Sequence, residues 1–167
     1  SMAQYNDIMS GVQGLVTSNN PAGLVAGSGK MLTFLASSST QESIRHFGYT
    51  PAQASKALAQ EAEHLFELNQ VNELNEAGQR RTIESFQTIN EMALFMAEKF
   101  GVDRSALLES RRAARENMDF KLAMVQQREL LENQYGEGAA QRSQEAYDWL
   151  SMLAPMLGED FGTETLK

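Results

Sequence analysis

The chain has no cysteine among its 167 residues, and it has only 3 prolines and 2 histidines. Without cysteine it can form no disulfide, no thiolate metal site and no cysteine nucleophile. With two histidines, a metal site would need mostly carboxylate ligands. So few prolines also argue against an all-β protein, in which turns and strand ends would use this residue.

Positive charge is scarce too, since 14 Lys and Arg stand against 22 Asp and Glu, which gives a net charge of −8. No basic surplus exists to neutralise phosphates, so we expect no direct nucleic-acid binding. No apolar run reaches the length of a membrane-spanning helix, and no signal peptide is visible. We therefore expect a soluble chain without a cofactor, for which nothing supports membrane contact.

Helix signals dominate what is present. Thr50 and Gln53 have the spacing of a capping box, and Gly101 follows the last apolar position of the segment after it. These signals predict one helix over 51–100, or two collinear ones. Its coiled-coil-like apolar seam loses phase in the middle, which predicts a kink near 75–78.

A second long helix is predicted over 104–135, beginning after Asp103 or Ser105, either of which can cap it. Its apolar row consists of Leu107, Ala114, Met118, Leu122 and Val125. Its charged pairs at spacings of four are Arg112 with Glu116 and Arg115 with Asp119. Such pairs support a solvated helix and are not chemical sites.

Shorter segments flank the two long helices. We predict helices over 5–16, 21–36 and 139–154, with a polar linker over 37–40.

The expected fold is an all-α, elongated helical bundle. The two long helices are expected to pair as an antiparallel hairpin through the turn at 101–103, because a short connection makes neighbours antiparallel. The expected organisation is an N-terminal arm over 1–49, a long-helix bundle over 50–154 and an acidic tail over 155–167.

Two motifs suggest chemistry, and both are incomplete. Glu61 and His64 have the Glu-x-x-His spacing of a carboxylate-metal helical bundle, but such a site needs the motif twice. The segment Gly27-Ser28-Gly29-Lys30 resembles a phosphate loop, but Met31 stands where a hydroxyl would hold magnesium. We expect neither a metal site nor a catalytic residue.

The remaining candidates are packing positions. Gly23 and Gly27 lie four residues apart, a spacing that lets another helix approach closely. The long first helix would need a partner along its length, which predicts a homo-oligomer or contact with other helical subunits. The apolar positions expected at these contacts are Leu58, Leu65, Leu68, Phe86, Ile89, Met96 and Phe100.

Residues 50–135 resemble the central part of small internal virion proteins, the core or ejection proteins of short-tailed bacteriophages. The resemblance rests on Gly78-Gln79-Arg80-Arg81, then Gly101-Val102-Asp103 with Ser105 and Leu107, then Ala114-Arg115-Glu116 with Asp119 and Leu122. The Gly- and Ser-rich extension usual after the turn is absent. The resemblance implies a non-enzymatic structural protein of the virion that oligomerises through helices and aids genome ejection.

Two alternatives share this composition. One is a soluble subunit, or an assembly chaperone, of a bacterial secretion or conjugation apparatus. The other is a carboxylate-metal helical-bundle enzyme using Glu61 and His64.

Overall fold

A computed structural model describes residues 29–154 of the chain, and every regular element in that range is helical. The prediction of an all-α fold is confirmed for this part of the chain. Its helices are α1 Gly29–Ala36, α2 Ser38–Ile44, α3 Pro51–Glu67, α4 Glu76–Phe100, α5 Arg104–Glu116, α6 Met118–Tyr135 and α7 Glu137–Leu153. A short 3-10 helix, Arg45–Phe47, follows α2.

Several predicted features lie outside the described residues. These are the helix over 5–16, the first part of the helix over 21–36, the acidic tail over 155–167, and the pair Gly23 and Gly27.

The chain divides into two compact units between Thr88 and Ile89, at a point inside α4. The sequence predicts a boundary at residue 50 instead. The difference arises because α1 and α2, assigned to the arm, share one apolar core with α3. Each unit is described by itself below.

The first unit encloses its core with α1, α2, α3 and the first half of α4. Its largest buried apolar side chains are Met31, Phe34, Leu35, Ile44, Phe47, Leu58, Leu65, Val71, Leu74 and Phe86. The rings of Phe47 and Phe86 meet edge to face, with centroids 5.8 Å apart. Burying each such side chain contributes about 1.5–3 kcal/mol, so this cluster stabilises the unit.

The predicted helix over 51–100 is wrong as a continuous element. The capping box at Thr50 is present and starts α3, but α3 ends at Glu67 and α4 begins only at Glu76. Asn69 adopts a left-handed conformation with φ of 61°, which reverses the chain. Ser85 Oγ on α4 then donates to the Glu61 carboxylate on α3 at 2.5 Å. The two helices therefore lie side by side and are not collinear.

The polar linker predicted over 37–40 is also wrong. Ser37 is the N-cap of α2, because its hydroxyl accepts a hydrogen bond from the Thr40 backbone N–H at 3.2 Å. The serine-rich run from Ser38 is therefore the first turn of a helix, in agreement with the preference of serine for helix starts.

The second unit has its own core, built from the second half of α4 together with α5 and α7. Its buried members are Ile89, Met92, Ala93, Met96, Leu107 and Met152. Gly101, with φ of 67°, ends α4, and Asp103 caps α5 by accepting from the Ser105 backbone N–H at 3.1 Å. The predicted turn and cap at this point are confirmed.

The predicted helix over 104–135 is divided at Asn117. The backbone of Asn117 is extended, with ψ of 122°, and its side chain accepts from the Phe120 N–H at 3.0 Å. Asn117 thus ends α5 and caps α6. Since both predicted long helices are divided, the antiparallel pair of long helices through 101–103 is not found in that form.

The closest helix pair of this unit is the antiparallel hairpin of α6 and α7 around Gly136. Gly136 has φ of 91°, which suits glycine. Arg128 Nη1 on α6 donates to Gln144 Oε1 on α7 at 3.0 Å, and the rings of Phe120 and Tyr147 meet edge to face at 5.5 Å. The predicted helix over 139–154 corresponds to α7.

Candidate functional site

The predicted contact residues lie mostly inside the chain's own cores. Leu58, Leu65 and Phe86 belong to the core of the first unit, and Ile89 and Met96 belong to the core of the second. Their burial therefore needs no second copy of the chain.

The other two predicted contact residues differ from each other. Leu68 is buried just after α3, whereas Phe100 at the end of α4 is 52% exposed. Phe100 is thus the member of the predicted set, within residues 29–154, that remains available to a partner.

Glu61 and His64 do not form part of a metal centre in the described residues. The buried Glu61 carboxylate accepts the Ser85 hydroxyl, and His64 is only partly buried one turn later on α3. Across residues 29–154, no group of three or more His, Asp and Glu side chains is placed to hold a metal ion.

The phosphate-loop resemblance receives no support at its described end. Gly29 and Lys30 form the first turn of α1, and Met31 is fully buried in the apolar core. A side chain at the magnesium position therefore faces hydrocarbon.

A cavity of about 170 Å³ lies beside this turn in the first unit. Its walls are mostly apolar and come from α1, α3 and the loop between α3 and α4. Among residues 29–154, the polar lining residues are Lys30, Asn72 and Glu73. Sequence spacing does not reveal this cavity, because it places the loop over 68–75 inside the predicted helix over 51–100.

A buried charge cluster joins α5 to α7 in the second unit. Asp148 Oδ1 accepts from Arg111 Nε at 3.0 Å and from Arg115 Nη2 at 2.6 Å. All three side chains are at most 8% exposed. Arg115 was predicted to pair with Asp119 on the helix surface, so this prediction is wrong. The cluster is a structural contact that holds α5 against α7. None of its three charged side chains is exposed enough to react with a ligand in solvent.

Arg115 keeps two buried nitrogens, Nε and Nη1, that have no hydrogen-bond partner among the described residues. Arg112, by contrast, forms the predicted pair with Glu116 at 2.6 Å and also bonds Glu109 on the helix surface. Hydrogen bonding to Glu109, helped by the charge of Glu116, raises the pKa of Arg112 above its ordinary value. Arg112 is therefore a fixed cation of the α5 surface.

The clearest surface feature of the second unit is an exposed apolar pair on α6, which we call the α6 row. It consists of Met118 and Leu122, which are 72% and 54% exposed. They lie on successive turns of one face, whereas Phe120 and Met124 on the opposite face are buried. The sequence places Met118 and Leu122 in the apolar row of the predicted helix, but the break at Asn117 turns them to solvent.

Searches against protein-family models, curated proteins and solved structures find no match to this chain. Within the described part, no helix combines the length and the apolar character needed to cross a membrane.

Proposed function

We propose that the chain is a non-enzymatic structural protein that assembles through helix contacts, with the α6 row as its contact surface and a second copy as the partner. The observation that carries the proposal is the exposure of Met118 and Leu122 on a helix whose opposite face is already buried. A helix with apolar side chains on both faces buries the most apolar surface, and is stabilised most, when both faces pack against other helices.

The free energy of burying Met118 and Leu122 is sufficient for a reversible contact between two chains. Burying one large apolar side chain fully is worth about 1.5–3 kcal/mol. Two copies of the row bring four such side chains together, and association must offset the loss of rotational and translational freedom. We therefore expect a dimer that forms in the micromolar range or above, and not an obligate one.

A second copy fits because a single short row on one helix is self-complementary about a two-fold axis. Two α6 helices crossing antiparallel bring Met118 of each toward Leu122 of the other.

The test is light scattering of the full chain at tens of micromolar, comparing the wild type with the double variant Met118→Lys/Leu122→Lys. We expect the wild type to exceed the monomer mass and the variant to be monomeric. The matched control is Ala123→Lys/Gln134→Lys, which adds the same charge at exposed positions of α6 away from the row. A strictly monomeric wild type, or equal masses for both double variants, contradicts the proposal.

For the biological setting we propose an internal virion protein of a short-tailed bacteriophage, released to help the genome leave the capsid. This rests on the resemblance carried by the Gly-Gln-Arg-Arg, Gly-Val-Asp and Ala-Arg-Glu segments. The genes beside this one test the setting. Capsid and portal genes are expected there, whereas genes for a secretion or conjugation apparatus would contradict the virion role and leave the assembly surface untouched.

A further inference from the structure

The cavity of the first unit has the size of one apolar side chain. Its volume is about 170 Å³, and its apolar walls are Met31, Ala62, Phe66, Val71 and Leu74. An engineered apolar cavity of about 150 Å³ stays dry and takes up benzene, so this one has room for a comparable group. This volume is smaller than the roughly 300–1,000 Å³ of sites that bury drug-sized ligands.

The polar lining of this cavity carries both signs of charge. Lys30 and Glu73 are both exposed and both line it, yet no ion pair joins them within 4 Å. The Lys30 side chain makes no hydrogen bond or ion pair with another residue of the described range. Glu73 Oε1 accepts a hydrogen bond from Asn75 Nδ2 at 3.2 Å, which holds the carboxylate at the loop. An ammonium and a carboxylate thus stand at an apolar cavity without neutralising each other.

We propose that this cavity binds a free apolar α-amino acid of leucine or phenylalanine size. The side chain fills the apolar space, the carboxylate of the ligand pairs with Lys30, and its ammonium pairs with Glu73. Asn72, whose amide can donate and accept, is the third polar lining residue.

The charge pattern favours this class over simpler amphiphiles. A monocarboxylate with the same apolar body places a second negative charge beside Glu73, and a monoamine places a second positive charge beside Lys30. A zwitterion matches both side chains at once. The proposal rests on the first unit alone, so it stands or falls separately from assembly through the α6 row.

The first experiment is calorimetric titration of the full chain with five probes, which are leucine, phenylalanine, 4-methylpentanoate, 3-methylbutylamine and glycine. Leucine is expected to bind saturably and more tightly than 4-methylpentanoate, which lacks the ammonium, and 3-methylbutylamine, which lacks the carboxylate. Glycine, which has no side chain to fill the cavity, is expected not to bind. No saturable binding of leucine or phenylalanine, or binding of 4-methylpentanoate as tight as that of leucine, would overturn the proposal.

Variants then locate the site. Lys30→Gln and Glu73→Gln should each weaken leucine binding about two- to five-fold, as expected for exposed ion pairs. The matched controls Lys56→Gln and Glu76→Gln remove the same charges at exposed positions outside the cavity lining and should leave binding unchanged. Ala62→Leu should fill the cavity and abolish binding. The proposal is contradicted if a folded Ala62→Leu variant still binds leucine. It is also contradicted if neither Lys30→Gln nor Glu73→Gln changes the affinity for leucine.

Discussion

A side chain at position 78 would collide with the backbone that leads into α4. A Cβ atom on Gly78 would lie 2.1 Å from the carbonyl oxygen of Glu73 and 3.2 Å from a methyl group of Val71. The backbone N–H of Gly78 also donates to Asn75 Oδ1 at 2.9 Å, which closes the turn. The glycine is therefore a packing requirement of the loop, although the sequence suggested a kink here.

We predict that Gly78→Ala destabilises the chain by about 1–3 kcal/mol, because the loop must shift to admit the methyl group. The higher helix propensity of alanine offsets only about 1 kcal/mol of this cost. Gly138→Ala is the matched control, since its new Cβ would meet only the end of the Arg142 side chain at an ordinary 3.6 Å. Urea unfolding of both variants measures the difference, and a Gly78→Ala midpoint at or above that of Gly138→Ala would refute it.

Asp148 is the shared acceptor of two buried guanidinium groups, and its loss should be costly. We predict that Asp148→Asn destabilises the second unit by about 3 kcal/mol or more, because Arg111 and Arg115 lose their buried carboxylate. Chemical unfolding followed by circular dichroism measures the change.

The comparison for Asp148 is Glu116→Gln, which breaks the exposed pair with Arg112. That change should cost at most about 1 kcal/mol, because the pair is largely solvated. Equal effects of the two substitutions would show that the buried cluster contributes no more than a surface pair.

Arg112 and Arg115 also show when spacing along a helix predicts ion pairs correctly and when it does not. The i,i+4 rule predicts the surface pair Arg112–Glu116, and the structure confirms it. The same rule assigns Arg115 to Asp119 and fails, because Arg115 faces α7 and meets Asp148 from 33 positions away. Spacing along one helix carries no information about which face a distant helix will cover.

At the level of helices, the capping residues predicted where helices begin and end, but the sequence did not show that the two predicted long helices are each divided. The capping residues Thr50 and Asp103 and the terminating Gly101 all act as predicted. Val71 and Leu74, which lie in the middle of 51–100 where the apolar seam loses phase, are buried residues of the turn between α3 and α4. The loss of heptad phase therefore marked a reversal of the chain. A kink and a turn produce the same loss of phase, so the sequence pattern alone does not distinguish them.

Asn117 lies inside the helix that the sequence predicts over 104–135, but in the structure it is the boundary between α5 and α6. We predict that Asn117→Ala costs about 1 kcal/mol, the usual value for a lost N-cap, since the Phe120 N–H then loses its acceptor. Asn117→Asp, which keeps an acceptor oxygen, should be nearly neutral and serves as the control. Thermal unfolding followed by circular dichroism compares the two, and an alanine variant as stable as the aspartate variant would contradict the capping role.

For the molecule as a whole, composition was enough to predict the helical class but not the division into units. The scarcity of proline and the helix-capping signals favour an all-α fold, which residues 29–154 show. The boundary at Thr88 and Ile89 lies inside an unbroken helix, where no proline, glycine or polar run marks it. It arises from which side chains of α4 join each core, and that depends on contacts distant in sequence.

For the contact residues, spacing along the sequence could not show which apolar side chains the chain itself covers. The apolar residues taken as contacts between copies fill the chain's own cores, since a divided helix folds back on itself and no longer needs a partner along fifty residues. Helix length therefore does not by itself predict homo-oligomerisation. The solvent exposure of Met118 and Leu122 is the observation that favours assembly.

Assembly through the α6 row should be visible in stability as well as in mass. If the folded chain associates and the unfolded chain does not, mass action stabilises the folded state as concentration rises. For a chain of this size we predict that the thermal midpoint of the wild type rises by about 1–3 °C for a tenfold increase in concentration above the dissociation constant, because each chain gains half of the free energy per dimer. Differential scanning calorimetry at two or more concentrations measures this shift.

The Met118→Lys/Leu122→Lys variant should show a midpoint that is independent of concentration, because the row can no longer pack against a second copy. The variant should also match the wild type at low concentration, since both side chains are already exposed in the single chain. The Ala123→Lys/Gln134→Lys control should keep the concentration dependence. A wild-type midpoint that does not move, or a variant midpoint that moves equally, would mean that the exposed row is an ordinary solvated surface.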